Sequence, residues 1–520
     1  MRILTCLCLA ALMSFAADYD LIIRQARVID GTGNPWFLAD VAVKNGRIAA
    51  VGSIPASATA DRTIDARRRV LTPGFIDVHT HIEGGVERNP RADNFLRDGV
   101  TTVVTGNCGG SELDLPAWFA ELEKAGLGIN VATLVGHNSI RTKVMGSGKQ
   151  AAASEQLRAM ERIVDQAMRD GAVGFSTGLE YVPGMYVAPE EIIALARVAA
   201  KYQGVYTSHM RDEGNAVLDS MDETIRVGRE AGIRVQISHL KQDTPKAWGS
   251  APAMLTRIEE ARRSGIDVTA DQYPYTRSST GLTIRLPGWA LEGGRNALLE
   301  RLAAPDTRAR VKEGMLQILR ERGITDYGHA LVASFSAKRE WEGKTIKQIN
   351  VLLGRPDTPE AQCDTIFEIL KIANPSMIYE MMSESDVDQI MRSPYTMIAS
   401  DGGVREFNVG NPHPRSYGTN ARVLGHYVRE RQLLTLEDAI RKMTSLPART
   451  FNFRDRGQIT AGFAADLVLF DPAQIRDAST YIKPHAYSQG FALVVVNGKI
   501  AVENDQVTGA RGGAALRHRP

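Results

Sequence analysis

The chain has 520 residues, 62 Lys and Arg against 60 Asp and Glu, and a 43% hydrophobic fraction. That fraction excludes a disordered chain, and the length holds about two to four domains. A net charge of +2, with the basic residues scattered along the chain, offers no field for phosphates and excludes nucleic acid as an expected partner.

In chain order, Met1-Arg2 precedes an apolar run from Ile3 to Met13 and then Ser14-Phe15-Ala16-Ala17. A basic start, an apolar stretch too short for the ~30 Å hydrocarbon layer, and small residues at a cleavage point have the form of a secretory signal. Residues 1–17 are expected to be removed, leaving an exported, periplasmic or secreted protein with no membrane attachment. The alternative is a buried N-terminal strand or helix. Cleavage would remove Cys6 and Cys8 and leave Cys108 and Cys363, which show no paired framework.

Residues 18–72 alternate short apolar runs with turns such as Asp30-Gly31-Thr32-Gly33 and Asn45-Gly46, the pattern of strands and hairpins. The pattern returns within 451–507, at Leu467-Val468-Leu469-Phe470 and Leu493-Val494-Val495-Val496. The two chain ends are expected to form one small β-sandwich domain. Between them, in 73–284 and 359–450, apolar runs end in polar residues and helical segments follow, as in Gly74 to His79, Thr101 to Thr105, Gly204 to His209, Arg234 to His239 and Thr396 to Asp401. Buried parallel strands with helical crossovers read this way. Polar residues gathered at the strands' C-terminal ends favour a (β/α)8 barrel over an open sheet. Residues 285–358 break the rhythm and are expected to form an inserted subdomain, with two outer helices as the alternative. Residues 508–520, rich in Gly, Ala and Arg, are expected to form a flexible tail.

His79-Thr80-His81 closes an apolar strand, and side chains two apart in a strand point the same way, so both imidazoles can face one ion. Cys108, His209, His239 and Asp401 stand at or just beyond other strand ends. A thiolate with imidazoles suits Zn²⁺, whereas Mg²⁺ or Ca²⁺ would require oxygen donors. Asp401, in Ser400-Asp401-Gly402-Gly403, reads either as a ligand that shuttles a proton or as a turn or helix-cap aspartate. Cys363, His329, His426, His485 and His518 read as structural. His137 reads as structural or as a support to the metal ligands.

Together these residues carry a resemblance to the amidohydrolase superfamily, through Pro73 to His81, the later histidines and Asp401. Within it the chain resembles the D-aminoacylase (N-acyl-D-amino-acid deacylase) family, through Gly106-Asn107-Cys108-Gly109, Ser176 to Gly184, Ser208 to Glu213, Tyr273-Pro274-Tyr275 and His413-Pro414-Arg415. The resemblance spans nearly the whole chain after residue 17. It implies a tight zinc on Cys108, His209 and His239, with His79, His81 and Asp401 at a weaker or vacant second position. It also implies Asp401 as general base and acid, Lys241, Arg415, Tyr273 and Ser279 at the α-carboxylate of an N-acyl-D-amino acid, and Tyr181 near the scissile group. Two departures stand out: Leu240 occupies a place where the family often has a second histidine, and the segment from Asp401 to Arg415 is longer than in the best-known members, its loop Val404 to Asn411 being expected to shape the substrate pocket. The other readings are a related cyclic amidase or dipeptidase, and a non-catalytic binding protein on the same scaffold. Side-chain preference and oligomeric state are not legible.

Overall fold

Eight short parallel strands close on themselves: Phe75–Asp77, Val100–Thr105, Asn130–Thr133 continued by Val135–Gly136, Gly174–Gly178, Val205–His209, Arg234–Ile237, Val268–Gln272 and Thr396–Ile398. The register runs on from strand to strand, with Phe175 opposite Tyr206, Tyr206 opposite Val235, Ile237 opposite Ala270, and Ala270 opposite Thr396. Closure falls just past the last strand, where Gly402 bridges Thr80. There Asp401 donates its N–H to His79 C=O at 2.8 Å, and His81 donates to Gly402 C=O at 2.7 Å. This is the expected (β/α)8 barrel, seen in a computed structural model that describes residues 17–519. The expected signal segment lies outside the described residues up to Ala16.

The strands carry continuous apolar runs because helices bury their outer faces. Val217–Ala231, for example, places Val217, Met221, Ile225 and Val227 against the barrel and its charges outward. Gly74 at the barrel entrance has no substitute, since a Cβ there would meet the Thr101 side chain at 2.2 Å.

Both chain ends build one nine-stranded sheet. Val70–Pro73 is its centre, pairing in parallel with Tyr19–Val28 on one side and antiparallel with Leu467–Phe470 on the other. Leu21, Val41, Ile48, Leu467 and Val495 share its apolar core.

Two findings change the expected boundaries. The subdomain over the barrel rim is organised by an antiparallel sheet of Arg277–Gly281, Ala330–Ser334 and Ser376–Glu380, so it extends from 277 to 380 and exceeds 285–358. Its flanking strands pair with each other, Ser279 opposite Ile378, which draws Ser279 out of the barrel segment. It has its own core of Leu282, Leu298, Met315, Phe367 and Tyr379, and Cys363 is buried there. The residues after Val507 do not form a free tail. Val131 donates to Ala514 C=O at 2.9 Å, Leu516 to Val131 C=O at 2.7 Å, and His518 to Gly171 C=O at 2.9 Å, laying this segment along the barrel floor. Backbone hydrogen bonds hold it where side-chain patterning gave no sign of order. Among the described residues no helix is long and apolar enough to cross a membrane.

Candidate active site

The barrel brings the separated histidines, the cysteine and the aspartate to one rim. Cys108 follows Val100–Thr105, His209 ends Val205–His209, His239 follows Arg234–Ile237, and Asp401 follows Thr396–Ile398. Cys108 Sγ lies 3.3 Å from His79 Nε2 and 3.6 Å from His239 Nε2. Asp401 Oδ1 lies 3.7 Å from His79 Nε2 and 3.1 Å from His81 Nε2. The donor atoms of Cys108, His209 and His239 fall within 4.8 Å of one another, as do those of His79, His81 and Cys108 and those of His79, His239 and Asp401. Cys108, His239 and Asp401 all adopt left-handed backbone, with φ of 53°, 34° and 52°. Non-glycine residues avoid this region unless their surroundings hold them there, and such strain gathers at functional sites.

Three carboxylates behind the donors set their orientation. Asp271, buried at the end of Val268–Gln272, sits 3.2 Å from His79 Nδ1 through Oδ2 and accepts the His239 N–H at 2.9 Å through Oδ1. That leaves His79 Nε2 directed at Cys108 and Asp401. Glu213 lies 2.5 Å from Lys241 Nζ, which in turn hydrogen-bonds His239 Nδ1 at 2.8 Å, so Glu213 acts on His239 through the lysine. Glu180 lies 3.0 Å from His209 Nε2. None of the three was singled out in the sequence. Glu180 and Glu213 do lie inside the resemblance blocks, and Asp271 ends a barrel strand, the one positional signal that could have found it.

The donor set fits a divalent cation. His209 Nδ1 is buried with no hydrogen-bond partner, and an orphaned buried acceptor calls for an electron-pair acceptor. Burial, then the Asp401 and Glu213 charges, push the Cys108 thiol well above its ordinary range. A cation beside the sulfur reverses that balance. Burial also holds His239 neutral, helped by the Lys241 charge, which is the form that ligates. Soft sulfur with neutral imidazoles matches zinc better than a hard cation.

The expected substrate contacts gather beside these donors. A cavity of about 250 Å³ is lined by Tyr181, Lys241, Tyr273, Ser279, His209 and Asp401, among others. Arg415 reaches it through Asp401, with Nη1 2.9 Å from Oδ2, and its guanidinium lies over the Tyr273 ring at 4.8 Å. Arg415 Nη2 donates to Ser279 C=O at 3.3 Å. The Tyr181 hydroxyl pairs with Thr280 Oγ1 at 3.0 Å, and its ring lies 4.6 Å from that of His209. Both Lys241 and Arg415 are thus already matched with carboxylates of the site. Burial raises the Asp401 carboxyl, but Arg415, His79 and His81 outweigh it and hold the group well below the ordinary carboxylate range.

Leu240 is fully buried, and its backbone donates to Asp271 C=O at 2.8 Å. The loop from Val404 does not line the 250 Å³ cavity; Val404, Phe407 and Val409 border a neighbouring one of about 590 Å³, which shares Ser279 with it. His137 lies apart from the donors, 2.8 Å from Glu191, which also pairs with Arg141 at 2.5 Å.

The profile of the amidohydrolase family matches residues 62–502. Over 501 residues the chain is 37% identical to the N-acyl-D-glutamate deacylase of Alcaligenes xylosoxydans xylosoxydans, covering 92% of this chain and 93% of that one. It is 33% identical to the D-aminoacylase of the same organism over 526 residues, covering 97% and 98%. The solved N-acyl-D-glutamate deacylase from Bordetella bronchiseptica, complexed with zinc and a phosphonate mimic of the tetrahedral intermediate, superposes with a TM-score of 0.82. The two are 34% identical, and the match covers 96% of this chain and 99% of that one. A D-aminoacylase described with a binuclear metal centre superposes with a TM-score of 0.81 at 34% identity, covering 96% and 100%. The chain therefore belongs to the amidohydrolase family, in its D-aminoacylase branch.

Proposed function

We propose that this chain is a zinc hydrolase that cleaves the amide of N-acyl-D-amino acids, releasing a carboxylate and a free D-amino acid. The observation that carries the reading is one cavity that joins Asp401 and the donors Cys108, His209 and His239 to the cation Lys241. Cys108, His209 and His239 would hold one tight zinc, and His79, His81 and Asp401 a weaker second position. Bound there, zinc supplies a Lewis acid to the scissile carbonyl and to water.

The rest is the work of the chain's own side chains. Arg415 and Lys241 hold the substrate's α-carboxylate, a planar fork and a point charge suited to that anion. Tyr273 and Ser279 support them, and Tyr181 stands by the scissile group. As water adds to the carbonyl carbon, Asp401 takes its proton. As the C–N bond breaks, Asp401 returns that proton to the departing nitrogen, without which an amine leaves poorly. A cyclic amide lacks the carboxylate and gains nothing from two cations, so a linear substrate is the better match. Residues 1–17 further support export, which N-terminal sequencing of the periplasmic or secreted protein would test; a cytosolic chain retaining Met1 would overturn it.

The functional reading is tested by metal analysis of the purified protein and hydrolysis of paired D and L N-acetyl-amino acids by the same sample. The expected result is about one zinc per chain and release of D-amino acids alone. Bound zinc with neither enantiomer cleaved would overturn it.

A further inference from the structure

The loop Val404 to Asn411 joins Asp401 to Arg415 along the chain, and one imidazole from far along the sequence holds its tip. Asn408 donates its backbone N–H to His485 Nδ1 at 3.2 Å, and the Tyr417 hydroxyl lies 3.0 Å from the same nitrogen. His485 Nε2 lies 2.9 Å from Gly410 C=O. These partners decide the state of the ring. A carbonyl can only accept and a backbone N–H can only donate, so Nε2 carries the proton and Nδ1 is bare. The ring that satisfies both is neutral. Asn408 and Gly410 both adopt left-handed backbone, with φ of 65° and 72°, which turns the N–H of one and the C=O of the other towards the same imidazole. Between the loop and the ring, Phe407 stacks on Tyr487 at 4.9 Å and meets His485 edge-on at 5.5 Å.

His485 is itself firmly seated. Its segment, residues 479–488, lies between the strands Leu467–Phe470 and Phe491–Val496. Ser479 Oγ donates to Pro484 C=O at 2.6 Å on one side of it, and Ser488 Oγ donates to Asp98 Oδ1 at 2.7 Å and to Tyr417 C=O at 2.9 Å on the other. Tyr417 stands in the helix Arg415–Arg422, two residues after the arginine that pairs with Asp401. One ring therefore ties the loop to the helix that begins with Arg415. The same loop walls the cavity of about 590 Å³ through Val404, Phe407 and Val409.

A proton on Nδ1 would reverse one contact and break another. Tyr417 can turn its hydroxyl and accept, but the Asn408 N–H would then face a second N–H. The titratable and charged groups on the elements packed around the ring are Arg405 and Glu406 of the loop, Arg415 and Tyr417 of the helix, and Tyr481, Lys483 and Tyr487 of its own segment. Behind these stand Asp98, bound to Ser488, and Arg97, over the Tyr487 ring at 4.2 Å. Among the described residues none of them forms an ion pair with His485.

We propose that His485 is a positioning residue that, while neutral, fastens the loop of residues 404–411 to the helix of Arg415 and releases it on protonation. The clamp goes beyond the deacylase reading, and only its kinetic consequence rests on that reading. With the loop released, the wall beside Arg415 loosens while the metal donors keep their places, so the loss falls on KM and spares kcat.

The kinetic test uses the zinc-loaded protein and an N-acetyl-D-amino acid that it hydrolyses. At about pH 7.5, His485→Ala is expected to raise KM at least about fivefold, the worth of two lost hydrogen bonds, with kcat within about twofold of wild type. His485→Asn places an oxygen near the Nδ1 position, accepts from Asn408 and does not titrate, so it is expected to recover part of the binding. Between about pH 7.5 and pH 5.5, where an imidazole takes up its proton, the KM of the wild type is expected to rise relative to that of His485→Asn. A KM within about twofold of wild type in His485→Ala, or pH profiles of wild type and His485→Asn that run parallel, would overturn the proposal. If His485→Ala does not fold, as judged by circular dichroism, the comparison with His485→Asn decides alone.

Hydrogen exchange read by mass spectrometry on the peptide covering 404–411 needs no turnover. Corrected for the intrinsic effect of pH, exchange there is expected to be at least about fivefold faster in His485→Ala than in wild type at about pH 7.5, with the gap closing towards pH 5.5. Equal rates at both values would overturn the clamp. If no substrate is cleaved, the deacylase reading fails, and the clamp stands or falls on exchange alone.

Discussion

Asp271 Oδ2 lies 3.2 Å from His79 Nδ1 in a fully buried contact, so a residue with no place in the donor set decides which nitrogen of His79 faces the metal position. Because the other oxygen of Asp271 accepts the His239 backbone N–H at 2.9 Å, one carboxylate fixes the imidazole of His79 and the backbone that carries His239. Asp271→Asn is expected to weaken zinc binding by about 10- to 100-fold. Competition with a chromogenic chelator measures this directly, and an unchanged affinity would reduce Asp271 to a packing residue.

Removing the metal should separate its two roles. Chelation is expected to abolish hydrolysis and lower the melting temperature, because a ligand that binds only the folded state stabilises it. Zinc added back should restore both. Cys108→Ser is expected to lose zinc on dialysis, whereas His81→Ala, which removes a side chain 41% exposed at the rim, should retain it.

Asp401→Asn retains the shape of the site and removes the proton carrier. The expected fall in kcat is about 10²- to 10⁴-fold, with zinc content unchanged. Metal analysis beside steady-state kinetics distinguishes this from loss of the ion.

His329 makes stability depend on pH. Its Nδ1 pairs with Asp326 C=O at 2.8 Å and its Nε2 is buried without a partner. Burial first, then the Arg285 charge, lowers its pKa from 6.5 to about 3. Between these values the unfolded chain takes up a proton that the folded chain refuses. The stability contribution is therefore whole above pH 6.5 and lost as pH falls towards 3, about 3 kcal/mol by pH 4. His329→Gln should flatten that part of the melting temperature against pH, and an unaltered slope would assign the acid sensitivity elsewhere.

Truncation at Val507 is expected to lower the melting temperature by a few degrees with no change in zinc content. The lost contacts, such as Leu516 N–H to Val131 C=O at 2.7 Å, lie on the barrel floor, away from the donors. Differential scanning calorimetry of the two chains decides it.

The barrel was legible because its strands are unbroken apolar runs that end in polar residues, and the distance between His79 and Asp401 in sequence disappears once such strands are wrapped into a ring. The orienting carboxylates were harder to see. Asp271 sits between Ala270 and Gln272, where a carboxylate reads as the close of a strand, and its partners come from other strands. Left-handed backbone at Cys108, His239 and Asp401 leaves no compositional trace, since these are not glycines. The segment from Arg511 to Arg517 has no apolar periodicity; what holds it is close backbone approach, with a Cβ on Gly513 set to meet Ile129 C=O at 2.0 Å.

The nine-stranded sheet has a consequence in time. Its central strand, Val70–Pro73, is translated before the barrel, yet the partner Leu467–Phe470 and the strands beyond it leave the ribosome after the barrel. During synthesis the N-terminal strands must wait with an open edge while several hundred residues emerge, so this sheet cannot be completed before the barrel's sequence has been made. In sequence the barrel stands between the two halves of its own neighbour, which only the finished barrel brings together.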